Sequence, residues 1–332
     1  MSAWNANPDA RTERTALGLP IAPMTVADIL DGSFKMVKRN WKAFAILSIP
    51  FSIPGILFTY AQYAVQGTTG GSIRDMLADP EAYAETSSPL ASGEFVFTAA
   101  AFALLIGGVV LSFLLTPNIY AVAIRVVAGS YLDHERPLST VASQTFRRVP
   151  TLLLASLLAV LAVIGAAAPV VIPIALLAAS FPPALLMLVF AIIPIVVVGT
   201  MLAFIYQVVV IEDASASRSL SRSWFLVSKR FFPILGIYIL ATIISSVIGS
   251  VVATPLLFLG IGGGYLFEPV EYVATAIASV ISTFISLAVQ ASVLTLLYFD
   301  ARIRFEGFDL SLKARRNAGD ASPGSSPSSL NG

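Results

Sequence analysis

The sequence predicts an all-α polytopic membrane protein, a bundle of six transmembrane helices joined by short amphipathic helices at one membrane interface. Three observations carry this. Of the 332 residues, 57% are hydrophobic and only 12% are charged, whereas soluble domains carry about 25% charged residues. Mean hydropathy is +0.85. Finally, Val149 to Ile211 contains no Asp, Glu, Lys, Arg or His. At about 20 apolar residues per crossing of a roughly 30 Å hydrocarbon layer, that run suffices for two crossings and a turn.

Composition also narrows the function. A formal net charge of +1 gives no electrostatic footprint for nucleic acid. Without Cys there is no disulfide, thiolate zinc site or cysteine nucleophile, and the single His134 builds no multi-histidine metal site. No cofactor is expected. Residues 1–42 contain no long apolar run. No cleavable signal is therefore expected, and the first span serves as the insertion signal.

Residues 1–24 are polar and aperiodic and are expected to form a disordered cytoplasmic tail. The membrane domain follows over residues 25–312. Thr25 and Asp28 have capping-box spacing, where each side chain satisfies a free amide at a helix start. Leu30, Phe34, Val37 and Trp41 then recur at helical spacing, with Asp28 and Asp31 early and Lys38, Arg39 and Lys42 late. That order suits the macrodipole, and the pattern predicts a helix lying in the interface plane.

The spans are expected at residues 43–65, 95–124, 150–179, 184–210, 231–259 and 272–299. Gln66–Glu94 is read as an outer loop. Ser180, Phe181, Pro182 and Pro183 mark the turn of the central hairpin, because paired prolines interrupt a helix. Arg125–Arg148 and Glu212–Arg230 form two further charged segments. Residues 313–332 are rich in Ser, Gly and Pro and are expected to be a second disordered tail.

Of the 20 Lys and Arg residues, all but Arg74 fall in segments assigned to one side. The positive-inside rule then places both termini in the cytoplasm. Shifting the first amphipathic helix by 190 positions places Leu30, Phe34, Val37 and Trp41 on Leu220, Trp224, Val227 and Phe231. Leu138–Arg148 also precedes two spans, though with a poorer apolar stripe. These units describe a threefold parallel repeat. They fit duplication and the shared demands of any helix entering a membrane equally well.

Three elements resemble a known family. They are Met24–Phe34 (MTVADILDGSF) with Lys38-Arg39-Asn40, Ser219–Trp224 (SLSRSW) with Lys229 and Phe232, and Tyr298–Leu310 (YFDARIRFEGFDL). In order and spacing they are similar to the bacterial glycerophosphoryl diester phosphodiesterase membrane-domain family, over residues 24–312. The resemblance implies an integral inner-membrane module of about six helices, in some members fused to a phosphodiesterase. A TIM-barrel phosphodiesterase needs about 250 residues, and no soluble segment here approaches that. His134, between Asp133 and Glu135, reads as a solvated surface histidine. The cytoplasmic acids look scattered among Lys and Arg, and no acid is expected deep in a span. The chain is therefore expected not to be an enzyme.

Two groups of residues remain as candidate contacts. Lys38, Arg39, Arg147, Arg148, Arg222 and Lys229 lie beside the membrane and suit anionic lipid headgroups. Asn118, Tyr206, Gln207, Ser282, Ser286 and Gln290 are polar residues within spans, expected to make helix–helix contacts rather than a cargo path. The stripe Thr275, Ser279, Ser282, Ser286, Gln290 should face the bundle. Membrane lipids and a membrane-protein partner are the expected partners. The leading expectation is a non-enzymatic membrane module acting through a lipid or protein partner. The alternative is a transporter or flippase-like protein for lipid or small hydrophobic cargo, and the third is a membrane-embedded lipid-modifying enzyme. A gene neighbour encoding an ATPase subunit would favour transport, and one for envelope synthesis would favour the partner reading.

The topology is directly testable, because single cysteines at Ser72 and Ser139 would be unique in the chain. In intact cells an impermeant thiol reagent should label position 72 and not position 139. Labelling of position 139 would reverse the orientation.

Overall fold

Thr25 starts the first helix with the capping box that its sequence spells. The Asp28 N–H donates to Thr25 Oγ1 at 3.2 Å, and the Thr25 N–H donates to Asp28 Oδ2 at 2.9 Å. The computed structural model describes residues 23–69, 99–132, 134, 136–178, 181–264 and 269–307. Residues 1–22, the tail over 313–332, most of the Gln66–Glu94 loop, Asp133, Glu135 and Glu268 lie outside the described residues.

In chain order the helices are α1 (Val26–Arg39), α2 (Trp41–Thr69), α3 (Ala99–Tyr131), α4 (Leu138–Phe146) and α5 (Val149–Ala178). A 3-10 helix (Pro182–Ala191) precedes α6 (Ile192–Met201), α7 (Ile205–Ile211), α8 (Ala216–Ser228), α9 (Phe231–Gly264) and α10 (Pro269–Glu306). The described residues contain no strand, and six helical stretches are long and apolar enough to cross a membrane. The protein is an all-α polytopic helix bundle. Its side surfaces could not face water: Leu157, Leu161 and Ile164 of α5 and Phe258 and Leu259 of α9 are all exposed. Exposed apolar area on this scale is a lipid-facing wall.

Among the boundaries that depart from the sequence expectation, three shape the core and the site. First, α3 continues past Ile124 to Tyr131, because Val127 and Tyr131 are buried and the Tyr131 ring stacks on Phe299 with centroids 4.7 Å apart. Second, α10 continues past Phe299 to Glu306, so Asp300, Arg302 and Arg304 sit on the helix itself rather than beyond its end. Gly307 ends it at φ 60°, a left-handed position where glycine meets no Cβ penalty. Third, the fourth span is not one helix. It runs as a 3-10 helix, then α6, then α7, with the chain leaving helical geometry at Leu202–Phe204.

The interfacial helices recur as expected, α1 before α2, α4 before α5 and α8 before α9. The stripe that sequence periodicity singled out is divided: Phe34, Trp41 and Trp224 are exposed, Leu30, Val37, Leu220 and Phe231 are partly buried against the core, and Val227 is buried. The more deeply buried face is the neighbouring one. In α1 it consists of Ile29, Gly32, Ser33 and Met36. The 190-residue shift places Ile29, Ser33 and Met36 on Ser219, Ser223 and Leu226, which are also buried. Exposed aromatics beside Lys38, Lys42 and Lys229 form the Trp and basic belt typical of a membrane interface.

The core is concentrated at this charged end. Every residue of α10 from Ala291 to Asp300 is buried, with α1, α2, α3, α8 and α9 packed around it. Nearer the middle of the bundle, α9 meets α10 through small residues, since lipid supplies little hydrophobic force between helices. Ser245 and Ala253 are buried, and a Cβ built on Gly249 would sit 3.7 Å from Ser282 Cα.

Asp300 ties the two ends of the domain together. Its carboxylate is 4% exposed and accepts the Met24 N–H at 2.7 Å and Arg304 Nε at 2.8 and 2.9 Å. Arg304 Nη2 in turn donates to the Met24 carbonyl at 2.7 Å, and Arg230 pairs with the carboxylate at 3.5 Å. Met24, assigned to the tail from its sequence, is therefore buried and held at both backbone groups. Removing one partner of a buried ion pair costs about 3–5 kcal/mol, because it strands the other charge. Asp300→Ala should lower stability by that amount in a detergent unfolding titration. It should also speed proteolytic cleavage near Met24.

Candidate functional site

The break in the fourth span leaves backbone groups without helical partners in a region where water is scarce, and an unmet group there costs several kcal/mol. Ser223 of α8 supplies the partners. Its hydroxyl donates to the Met201 carbonyl at 2.8 Å and accepts the Phe204 N–H at 3.1 Å. One fully buried serine thus holds the chain open between α6 and α7. Leu202 itself is still bound through its N–H to the Val198 carbonyl.

Beside this break lies a cavity of about 350 Å³. Its polar wall comes from Thr116 and Tyr120 of α3, Tyr206 of α7, Tyr238 of α9, and Ser286 and Gln290 of α10. Phe51, Leu202, Leu287 and Leu294 supply apolar wall. Its lining contains no Asp, Glu, Lys, Arg or His. The rings of Tyr120 and Tyr206 meet edge to face at 5.8 Å, and the Tyr206 hydroxyl lies 3.1 Å from Ser156 Oγ. Gly199 lines the cavity yet is exposed, and a Cβ built on it meets nothing within 4 Å. The cavity is thus reached from the side of the bundle at Gly199.

The polar atoms around the cavity are under-satisfied. The Tyr120 hydroxyl and both amide atoms of Gln207 are buried with no hydrogen-bond partner. Gln207 adjoins Tyr120, but the two do not reach hydrogen-bond geometry. A buried unpaired polar group costs about 1–3 kcal/mol, which a partner entering the site would recover.

A second polar assembly caps the charged end. Arg222 Nε donates to Glu212 at 3.2 Å, and its terminal nitrogen pairs with Glu306. The Tyr298 hydroxyl donates to Glu212, while Arg302 pairs with Glu306 at 3.1 Å and lies 3.8 Å from Glu212. Burial alone would lower the Arg222 pKa. The hydrogen bond that Arg222 donates to Glu212 and the charges of Glu212 and Glu306 outweigh it and raise the pKa, so the guanidinium stays charged. The acids thus converge, contrary to the scattered arrangement read from sequence. α7, α8 and the extended α10 bring Glu212 and Glu306 to one guanidinium, and Asp300 is gathered by two others. Among the described residues, no three His, Asp or Glu side chains are grouped so as to hold a metal.

The sequence-nominated residues divide accordingly. Tyr206, Ser286 and Gln290 line the cavity, and Gln207 lies behind it. Ser282 instead packs on Gly249, and Asn118 Nδ2 bonds the Leu114 carbonyl within its own helix at 2.6 Å. Ser282, Ser286 and Gln290 of the α10 stripe face protein, but among the described residues the stripe makes no interhelical hydrogen bond. Ser279 bonds Thr275 along the helix.

Lys38, Arg39 and Arg147 are exposed. Arg148 pairs with Asp213 at 3.0 Å, Lys229 lies over the rings of Phe225 and Phe305, and Arg222 is drawn into the Glu212–Glu306 assembly. The six basic residues therefore form no single site. Sequence reading missed Tyr120, Tyr238, Thr116 and Gly199. Their only signal was a polar tip or a missing side chain within an apolar span.

A family model described as a domain of unknown function (DUF7847) matches residues 51–301, and the chain belongs to this family. No curated protein and no solved structure matches it.

Gln207→Leu tests the state of the cavity. Replacing an unpaired buried amide with an apolar side chain of similar size should leave the purified protein as stable or raise its stability by about 1–3 kcal/mol in thermal unfolding. A large loss would show that Gln207 is satisfied within the folded chain.

Proposed function

We propose that this member of the DUF7847 family is a membrane module without a catalytic domain that binds a lipid in the cavity beside the fourth-span break. It acts through that lipid or through a membrane-protein partner. The observation that carries this is the cavity's wall of hydroxyl and amide groups, all uncharged, set against leucine and phenylalanine and reached from the lipid side at Gly199. Such a lining suits the ester and glycerol region of a lipid, whose oxygens accept hydrogen bonds and whose chains remain in the bilayer. A non-enzymatic role is supported by Glu212, Asp300 and Glu306, each of which is paired with guanidinium groups and so poorly placed as a general base. The reading extends the resemblance to the phosphodiesterase membrane-domain family, with cytoplasmic termini and an inner-membrane location.

One observation favours the second reading, transport of lipid or small hydrophobic cargo. The span beside the cavity is discontinuous, and discontinuous helices are the usual frame of midplane transport sites. A lipid-modifying enzyme is the third reading, with no comparable observation behind it.

The experiment is lipid retention. Gly199→Phe would fill the entrance without meeting other atoms at Cβ, and Ile193→Phe on the exposed face of the same helix is the control. Native mass spectrometry of the purified proteins should show several-fold less bound lipid for Gly199→Phe and an unchanged amount for the control. Equal retention in both would overturn the cavity as the binding site.

A further inference from the structure

A second recess lies at the charged end, away from the lipid cavity. It occupies about 230 Å³ between the end of α3, α4 and Asn40, the residue joining α1 to α2. A single water needs only about 15 Å³, so the space admits a polyatomic ion. Arg125 Nη1 and Arg136 Nη1 both point at one acceptor, the amide oxygen of Gln144, at 3.5 and 3.3 Å. Two guanidinium groups thus converge on a neutral atom. That arrangement is repulsive unless an anion lies between them.

Among the described residues the compensation is thin. Arg125 lies 3.8 Å from the Asp213 carboxylate, and Asp213 is closer to Arg148, at 3.0 Å. Among the described residues no carboxylate pairs with Arg136. Arg125 Nε is buried and has no hydrogen-bond partner. The hydroxyl of Ser130 and the amide of Asn40, bonded to each other at 3.0 Å, also line the recess, as does His134. The charge and the donor set are those of an oxyanion receptor, in which guanidinium forks bind phosphate oxygens in pairs. The recess also lies at interface depth, next to exposed Trp41 and Phe146.

We propose that this recess binds a phosphate-class anion through Arg125 and Arg136, with Asn40 and Ser130, bonded to each other, as an uncharged part of its wall. The phosphate belongs either to an anionic lipid headgroup or to a free phosphate. This does not depend on the lipid cavity, because it rests on different residues.

The test measures inorganic phosphate binding to the purified protein by calorimetry. In parallel, it compares binding of the protein to phosphatidylcholine vesicles with and without phosphatidic acid. Binding in the first arm identifies free phosphate, and selective binding in the second alone identifies the headgroup. Arg136→Gln should weaken whichever binding is seen by about tenfold, as loss of a charge-assisted pair does. Gln144→Glu supplies a tethered carboxylate in place of the anion. It should abolish binding while preserving or raising the melting temperature, which separates occupancy of the site from misfolding. No phosphate binding and no preference for phosphatidic acid would overturn the proposal, as would undiminished binding in both variants.

Discussion

The carboxylate of Asp300 is the constraint on which this architecture depends. A nearly inaccessible charge is stable only if its partners are fixed, and here they are Arg304, Arg230 and the Met24 N–H. Meeting that demand docks the start of α1 against the end of α10. α10 can then extend beyond the apolar span as a rigid helix to Glu306, which carries Glu306 and Arg302 into reach of Glu212 and Arg222. The ionic assemblies of the charged end are one consequence of a helix that does not stop where its apolar sequence stops.

Lipid as solvent explains the contrast between the two ends of the bundle. Where helices face hydrocarbon, large apolar side chains remain exposed and contact between helices relies on small residues such as Gly249 and Ser282. At the charged end, aromatic stacking, buried carboxylates and apolar core residues combine. The irregular backbone at Leu202–Phe204 is tolerated because Ser223 satisfies it from a neighbouring helix. The same break opens the space that Tyr120, Tyr206, Tyr238 and Gln290 line.

The two recesses differ in chemistry. The cavity within the spans presents uncharged hydroxyl and amide groups, and the recess at the charged end presents two guanidinium groups around a neutral amide oxygen. Among the lining residues, the Tyr120 hydroxyl and Arg125 Nε are buried without a hydrogen-bond partner, a sign that the folded chain does not satisfy itself everywhere. Such residual cost in an otherwise well-packed core is expected where a ligand is received.

The sequence by itself determined the fold class, the six apolar spans, the interfacial helices and the capping box at Thr25. Each depends on local composition or short-range periodicity, which a membrane enforces strictly because every backbone group must be met within the element. It also pointed to Tyr206, Gln207, Ser286 and Gln290 as polar residues in apolar surroundings. Only the tertiary structure decided which of these share a cavity, because Ser282 and Ser286 are one helical turn apart yet meet a glycine and a void respectively. It also decided that Arg222 turns inward and that Asp300 holds Met24. The reason is physical: the pairing of a charge depends on groups brought together across hundreds of residues, and no periodicity along the chain records that proximity.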